Sequence, residues 1–398
     1  MQENIGYLIV REELFSPLVK TQVFDVLSAI NKEKFKVYLI WACRVDYYFK
    51  KKKEFEKIKN RLKNNGIELI RIPIIVYKFP LSKFELNLLS LQTITTLEKI
   101  VKHKKINILH ARGYNSGFLL AKVNKRKKVE VKTIFDARSP YLTELQSTYK
   151  IDKESKKFKD WSDIERFIAN NNSLNIAISE RFEKYLNQYD GNVLHIPNNA
   201  QVPPSSEIYS LAKKKRRNSI CYVGSIGNGW NNVKLYSSVV KEIHNKYPQI
   251  NFEFYVLPSG IELVKKEFKK SGIPDEIYSV ETKSPEDIKS SIIGCLAGLQ
   301  VMNNPDVRMG IKTVEYLSAG IPIICNSNAI GCSDIVEKYG VGVNIDRKNA
   351  ALDDFIKKVI EDNDDISKRC VTLAEKKFST SSVAKLYESS YERLLVNN

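Results

Sequence analysis

The sequence predicts an α/β protein built from two doubly wound parallel sheets. Three observations carry that expectation. Short apolar, β-branched runs alternate with longer amphipathic segments from the first residues to about position 345, the pattern of parallel strands joined by crossover helices. The 398 residues exceed what one core usually serves. The alternation is interrupted once, at 201–218, by Pro203-Pro204-Ser205-Ser206 and a charge block from Lys213 to Arg217, which reads as a linker.

In the first half the predicted strands are 5–10, 36–41, 67–72, 106–110, 132–135, 175–178 and 193–196. In the second they are 219–223, 251–256, 277–280, 298–301, 321–325 and 341–343. After 345 the pattern turns helical and ends in 380–395, where Val383, Leu386, Tyr387 and Tyr391 recur near helical spacing, with Leu394 close behind. The expected division is a first domain at 1–200 joined by the terminal helix 380–398, the linker 201–218, and a second domain at 219–379. In open α/β sheets ligands lie beyond the carboxyl ends of the strands, so functional residues are sought just after each run.

Composition narrows the class. With 43% hydrophobic and 10% aromatic residues the chain can bury ordinary cores, which excludes fibrous and disordered proteins. The apolar run Ile5 to Val10 lacks a basic segment before it and reads as a strand, not a signal peptide. No run approaches the ~20 apolar residues that span a bilayer. A cytoplasmic protein, at most peripheral on the inner face of the membrane, is expected. Six cysteines without CxxC spacing (Cys43, Cys221, Cys295, Cys325, Cys332, Cys370) suggest buried thiols in a reducing compartment, not a zinc site or disulfide frame.

The net charge of +18 is unevenly spread. Residues 1–200 hold 37 Lys and Arg against 22 Asp and Glu, whereas 201–398 hold 27 against 24. The first half therefore carries the basicity, in runs at 50–53, 102–105 and 125–128. These runs are either a solvated surface or an attraction to an acidic membrane or polyanion. Their lack of interleaved aromatics argues against nucleic acid.

The most informative segment follows the strand ending near Val301. A loop containing Asp306, Val307 and Arg308 ends at Gly310, a helix begins at Ile311, Gly320 closes it in the C′ position, and Pro322 opens the next buried strand. Val314, Leu317 and Ala319 can face the sheet, while Lys312 and Glu315, three apart, share another face. A cation and a carboxylate thus stand over the free amides of a helix N-terminus, where the helix dipole favours phosphate. Lys312 could neutralise a diphosphate, and Glu315 could accept both hydroxyls of a ribose. The plain alternative is an exposed Lys312–Glu315 pair worth only ~0.3–0.5 kcal/mol.

The run GIKTVEYLSAGIPII at 310–324, followed by Ala329-Ile330-Gly331 and Gly340-Val341-Gly342, resembles the donor-site signature of the retaining GT-B glycosyltransferases of family 4. Weaker likenesses follow in the family's order along nearly the whole chain. His110-Ala111-Arg112-Gly113 resembles its His-containing loop, and Phe135-Asp136-Ala137-Arg138 its D-x-R loop. Ile178-Ser179-Glu180-Arg181 is similar to its strand-serine-helix element, Ile196-Pro197-Asn198-Asn199 to its PN turn, and Tyr222-Val223-Gly224-Ser225 to its glycine-rich second-domain start.

The resemblance implies two Rossmann-like domains facing across a cleft, and sugar transfer with retention from a nucleotide diphosphate sugar to a glycan or lipid-linked acceptor, without cofactor or metal. It implies donor contacts at Gly224, Ser225, Arg308, Gly310, Ile311, Lys312 and Glu315. His110 becomes the candidate that hydrogen-bonds the transferred sugar, with Ser16, Arg112, Asp136, Arg138 and Asn198 on the acceptor side or in the cleft; the plain alternatives are a structural histidine and an Asp136–Arg138 pair. Glu12 and Glu13 are weaker acceptor contacts.

The chain also departs from the family pattern. The earlier glutamate of the E-x7-E motif falls at Val307, the usual Arg and Lys after the Val-Gly turn fall near Ser225 and Trp230, and the Ser16–Lys20 loop lacks its two glycines. Phosphate recognition is therefore expected from Arg308 and Lys312. A nucleotide-sugar epimerase of the same fold and a degenerate partner subunit of a transferase are the alternatives.

Overall fold

The computed structural model describes residues 2–75, 80–227, 231–347 and 351–396. The strands of the first half are β1 (Glu3–Val10), β2 (Phe35–Arg44), β3 (Ile67–Ile74), β4 (Ile108–Arg112), β5 (Lys132–Asp136), β6 (Leu174–Ala177) and β7 (Val193–His195). They form one sheet in the order β3-β2-β1-β4-β5-β6-β7 with every pairing parallel. The second half contributes β8 (Ser219–Val223), β9 (Asn251–Tyr255), β10 (Tyr278–Glu281), β11 (Ala297–Gln300), β12 (Ile323–Cys325) and β13 (Gly342–Asn344). Their sheet, also parallel, runs β10-β9-β8-β11-β12-β13. All thirteen predicted strands are present, because a parallel strand buried on both faces must be a continuous apolar run.

Both sheets reverse their strand order once, between β1 and β4 and between β8 and β11. At such a point the flanking crossovers go to opposite faces, leaving a crevice at the carboxyl ends of the strands.

The chain divides into one unit of Met1–Pro197 with Val383–Asn398 and another of Asn198–Ser382. The stretch read as a linker, 201–218, instead contains helix Ser205–Lys214, which belongs to the second unit and buries Ile208 and Ala212, one helical turn apart. The terminal helix Thr380–Val396 gives its residues from Val383 onward to the first unit and buries Val383, Ala384, Tyr387, Ser390 and Tyr391. Leu386, expected on that face, is exposed. Each unit has its own hydrophobic core, and all six cysteines are buried free thiols. Among the described residues no helix is long and apolar enough to cross a membrane.

Candidate functional site

In the second unit the reversal point is fastened by one tyrosine. Gly298 on β11 leaves room for the ring of Tyr316, since a Cβ there would lie 2.6 Å from the ring. The Tyr316 hydroxyl accepts the Val223 N–H of β8 at 2.9 Å and donates to the Leu299 carbonyl of β11 at 3.2 Å. Helix Ile311–Ser318, which carries Tyr316, is thereby anchored to both strands that flank the reversal. It ends as the sequence predicts, with Gly320 at φ +72° and the Ile321 and Gly320 amides returning to the Tyr316 and Leu317 carbonyls.

The loop before this helix is held from several sides. Asn198 donates to the Met309 carbonyl at 2.6 Å. Buried Asp306 receives the Arg308 side chain through two parallel bonds, Nε to Oδ1 at 2.8 Å and Nη2 to Oδ2 at 2.9 Å. Gly310 then caps the helix without any side-chain bond to its first amides. The helix therefore presents open donors at Ile311 and Lys312, at the positive end of its dipole.

The Lys312 side chain turns back over the end of β8. Its ammonium donates to the Tyr222 hydroxyl at 2.9 Å and to Asn231 Oδ1 at 3.4 Å, and lies 4.3 Å from the Tyr222 ring centroid. The Tyr222 hydroxyl in turn donates a hydrogen bond to the Ser225 carbonyl at 2.6 Å. Gly224 makes the passage possible: a Cβ there would lie 2.4 Å from Lys312 Cε, and its φ of +133° suits only glycine. Burial pushes the Lys312 ammonium down to about 7, against the opposing pull of Glu315 and Asp306. Glu315, half-buried one turn along, is raised by burial, with Lys312 and Lys289 opposing. The exposed Lys312–Glu315 pair is not formed, because Tyr222 and Asn231 take the ammonium.

Arg308 and Lys312 were expected to share the phosphate charge. The structure divides them: Arg308 is already answered by Asp306, and Lys312 remains the cation beside the open amides. Ser225 contributes its carbonyl to the Tyr222 hydroxyl, Val307 is half-buried in the loop, and Trp230 lies outside the described residues.

In the first unit the reversal point holds a different set. Arg112, at the end of β4, donates through Nε to Glu12 at 2.8 Å and through Nη2 to Gln22 at 2.7 Å, leaving its buried Nη1 without a partner among the described residues. Ser16 caps the turn Pro17–Val19 by accepting the Val19 N–H at 3.2 Å.

Two residues back on the same face of β4, one pleat repeat deeper, His110 is fully enclosed. Its Nδ1 is bonded to the Tyr391 hydroxyl at 2.9 Å, and its ring packs against Tyr7 and Tyr387. Asp136, equally enclosed, accepts from Tyr387 at 3.0 Å and Arg138 at 3.2 Å and lies 3.7 Å from His110 Nε2. Burial would raise the Asp136 carboxyl, but Arg138, His110 and Arg112 hold it down to about 2. Burial lowers His110 in spite of that carboxylate.

The role expected of His110, touching a transferred sugar, does not fit this placement. The terminal helix covers the imidazole, and Asp136 is the counter-charge of Arg138. Arg138 sits at φ +50°, a conformation that non-glycine residues seldom adopt. Gln22, Tyr222, Asn231, Tyr387 and Tyr391 are partners that sequence reasoning did not place in either site. Only Tyr222 stands inside a quoted motif.

Residues 206–377 match the family model for glycosyl transferases group 1. Among curated proteins none matches the chain. Solved structures share its fold over nearly the whole length. Sucrose-phosphate synthase from Thermosynechococcus elongatus has a TM-score of 0.67 at 12% identity, covering 100% of both chains. Anabaena HepE, solved with UDP, has a TM-score of 0.68 at 12% identity, covering 98% of this chain and 100% of that one. A glycosyltransferase from Rickettsia africae gives 0.66 at 12% identity with both chains covered in full. The fold is GT-B, with two Rossmann-like units.

Proposed function

Taking residues 206–377 as a glycosyl transferases group 1 domain, we propose that the chain transfers a sugar, with retention, from a nucleotide diphosphate sugar to a glycan or lipid-linked acceptor in cell-surface polysaccharide synthesis. The observation that carries this reading is the Lys312 ammonium threaded over Gly224 beside the uncapped start of helix Ile311–Ser318, with Glu315 one turn further in. An ammonium and free amides converging on one point suit a diphosphate. A half-buried carboxylate without a cation bound to it suits the paired hydroxyls of a ribose.

Breaking the bond between sugar and diphosphate leaves negative charge on the leaving group, and positioned donors there lower the barrier most. In this reading Lys312 and the helix amides supply the positive charge, so no metal or cofactor is required. HepE, which shares the fold, has been solved with UDP-glucose, and a uridine diphosphate sugar is the donor class to try first. Arg112, Glu12 and Ser16 line the corresponding strand ends of the first unit and are the proposed acceptor-side residues. The basic first unit favours a lipid-linked acceptor at the inner membrane face.

Calorimetry with UDP-glucose tests the donor site. Glu315→Ala should abolish nucleotide-sugar binding while the protein stays folded; unchanged affinity would remove the reading. The epimerase alternative is separated by following labelled sugar, which should appear on an acceptor and not as a free isomer.

A further inference from the structure

Away from both strand-end sites, the first unit exposes an apolar stripe on helix Lys83–Lys104, the crossover between β3 and β4. The helix begins with a capping box, in which Ser82 accepts the Glu85 N–H and the Glu85 carboxylate accepts the Ser82 N–H at 2.8 Å, so its first turn is fixed. Its inner face buries Leu86, Leu89, Ile94, Leu97 and Val101.

Its outer face carries Phe84, 76% exposed, Leu88, 38% exposed, and Leu91, 78% exposed. The spacing of four and three residues stacks these side chains in one line. Between Lys83 and Lys99 the other exposed positions of the helix, Asn87, Thr95 and Thr96, are uncharged. Ile75, 57% exposed at the end of β3, donates its N–H to Gln92 of the same helix and adds a fourth apolar side chain beside the line. An outward face of this kind on a water-facing helix normally carries charge.

The rim of the stripe is basic. Lys83 stands at the helix start, and it lines a groove with Asn87 and Lys122. Lys99 and Lys102 are exposed toward the far end. The nearby carboxylates are engaged: Glu85 in the capping box, Glu98 with Arg126 at 3.0 Å, and Asp163, which lines the same groove, with Arg166 at 4.0 Å.

We propose that this face docks the first unit on an anionic lipid bilayer, with Phe84, Leu88, Leu91 and Ile75 entering the boundary between headgroups and acyl chains. Lys83, Lys99, Lys102 and Lys122 meet the headgroup charges. Charge decides for a bilayer over a second copy of the chain. The face belongs to the half with 37 basic against 22 acidic residues, so two copies meeting here would set lysines against lysines, whereas anionic headgroups answer them. The inference deepens the membrane side of the proposed function and does not depend on the donor site.

The test uses the intact chain and sedimentation with vesicles. The protein should pellet with vesicles of phosphatidylcholine containing about one-third phosphatidylglycerol and stay in solution with phosphatidylcholine alone, and added salt should weaken the binding. The double variant Phe84→Ser with Leu91→Ser should bind anionic vesicles roughly tenfold more weakly, with unchanged UDP-glucose affinity and thermal midpoint, since both side chains are exposed.

Equal vesicle binding by the variant overturns the inference, as does failure of the wild-type chain to bind anionic vesicles at low salt. A dimer in light scattering that the variant disrupts would reassign the face to self-association. Vesicle binding without UDP-glucose binding would sink the donor reading and leave this one standing.

Discussion

Each sheet places a cation at its strand reversal, and each cation reaches a partner from the neighbouring strand: Arg112 meets Glu12 beyond β1, and Lys312 meets Tyr222 on β8. The two settings differ in what lies beneath and above. Under Arg112, the His110–Asp136–Arg138 network is closed by tyrosines of the terminal helix, and its charges cancel inside the protein. Beside Lys312, helix amides stay uncapped, Glu315 has no bound cation, and burial has loosened the hold of the ammonium on its proton. The first arrangement spends its polar groups on one another; the second leaves them for a ligand. Similar strand-end chemistry is thus closed beneath Arg112 in one unit and left open beside Lys312 in the other, the arrangement that the proposed donor site requires.

The contrast can be broken most forcefully at Asp136. Asp136→Ala strands the Arg138 guanidinium without a counter-charge and the Tyr387 hydroxyl without its acceptor, and should cost about 3–5 kcal/mol in denaturant unfolding of the first unit. Part of that stabilisation is pH-dependent. The carboxyl titrates at about 2, below its ordinary 3.8. The stabilisation is therefore complete above the ordinary carboxylate range and vanishes as pH falls toward 2. Glu315→Ala, by comparison, should shift unfolding by less than about 1 kcal/mol while ending donor binding. If the two substitutions had similar effects on stability, the division between cohesive and ligand-facing clusters would fail.

A finer test is Gly224→Ala, which sets a methyl group 2.4 Å from Lys312 Cε. Displacing the ammonium should weaken UDP-glucose binding by roughly 10- to 100-fold, the range for one charge-assisted hydrogen bond. Calorimetry reads it directly.

The smallest effect is the pH dependence of that binding. Lys312 titrates at about 7 in the folded protein instead of 10.5, so it is charged below that value and neutral above it. Affinity for UDP-glucose, whose diphosphate keeps its charge over this range, should fall several-fold from about pH 6 to about pH 8.5. Lys312→Met should flatten the profile, and a slope that persists in this variant would place the titration elsewhere.

What the sequence could disclose follows from how far apart the partners lie. The strands were legible because each is a local apolar run, and the helix Ile311–Ser318 because its glycines and its Val314–Leu317 face are local too. The helix Ser205–Lys214 was hidden by the Pro203-Pro204 pair before it and the lysines at its end, although Ile208 and Ala212 marked its inner face. Enclosure of His110 could not be read, since Tyr391, which caps it, is 281 positions away. For the same reason the one protein partner the sequence offered Lys312, in the plain alternative, was Glu315 three residues off, whereas Tyr222 lies 90 positions upstream. Leu386 was counted with the buried face because it is apolar, yet it is exposed, and the small residues Ala384 and Ser390 are buried on that face with Val383, Tyr387 and Tyr391.

The terminal helix also imposes an order on synthesis. The second unit is one uninterrupted stretch, Asn198–Ser382, and can close as soon as it clears the ribosome. The first unit is translated earlier but receives Tyr387 only 251 residues after Asp136. Until then Asp136, His110 and Arg138 lack the Tyr387 and Tyr391 hydroxyls that bond to them in the finished unit. The unit translated earlier therefore completes its core only once Val383, Ala384, Tyr387 and Tyr391 have been made.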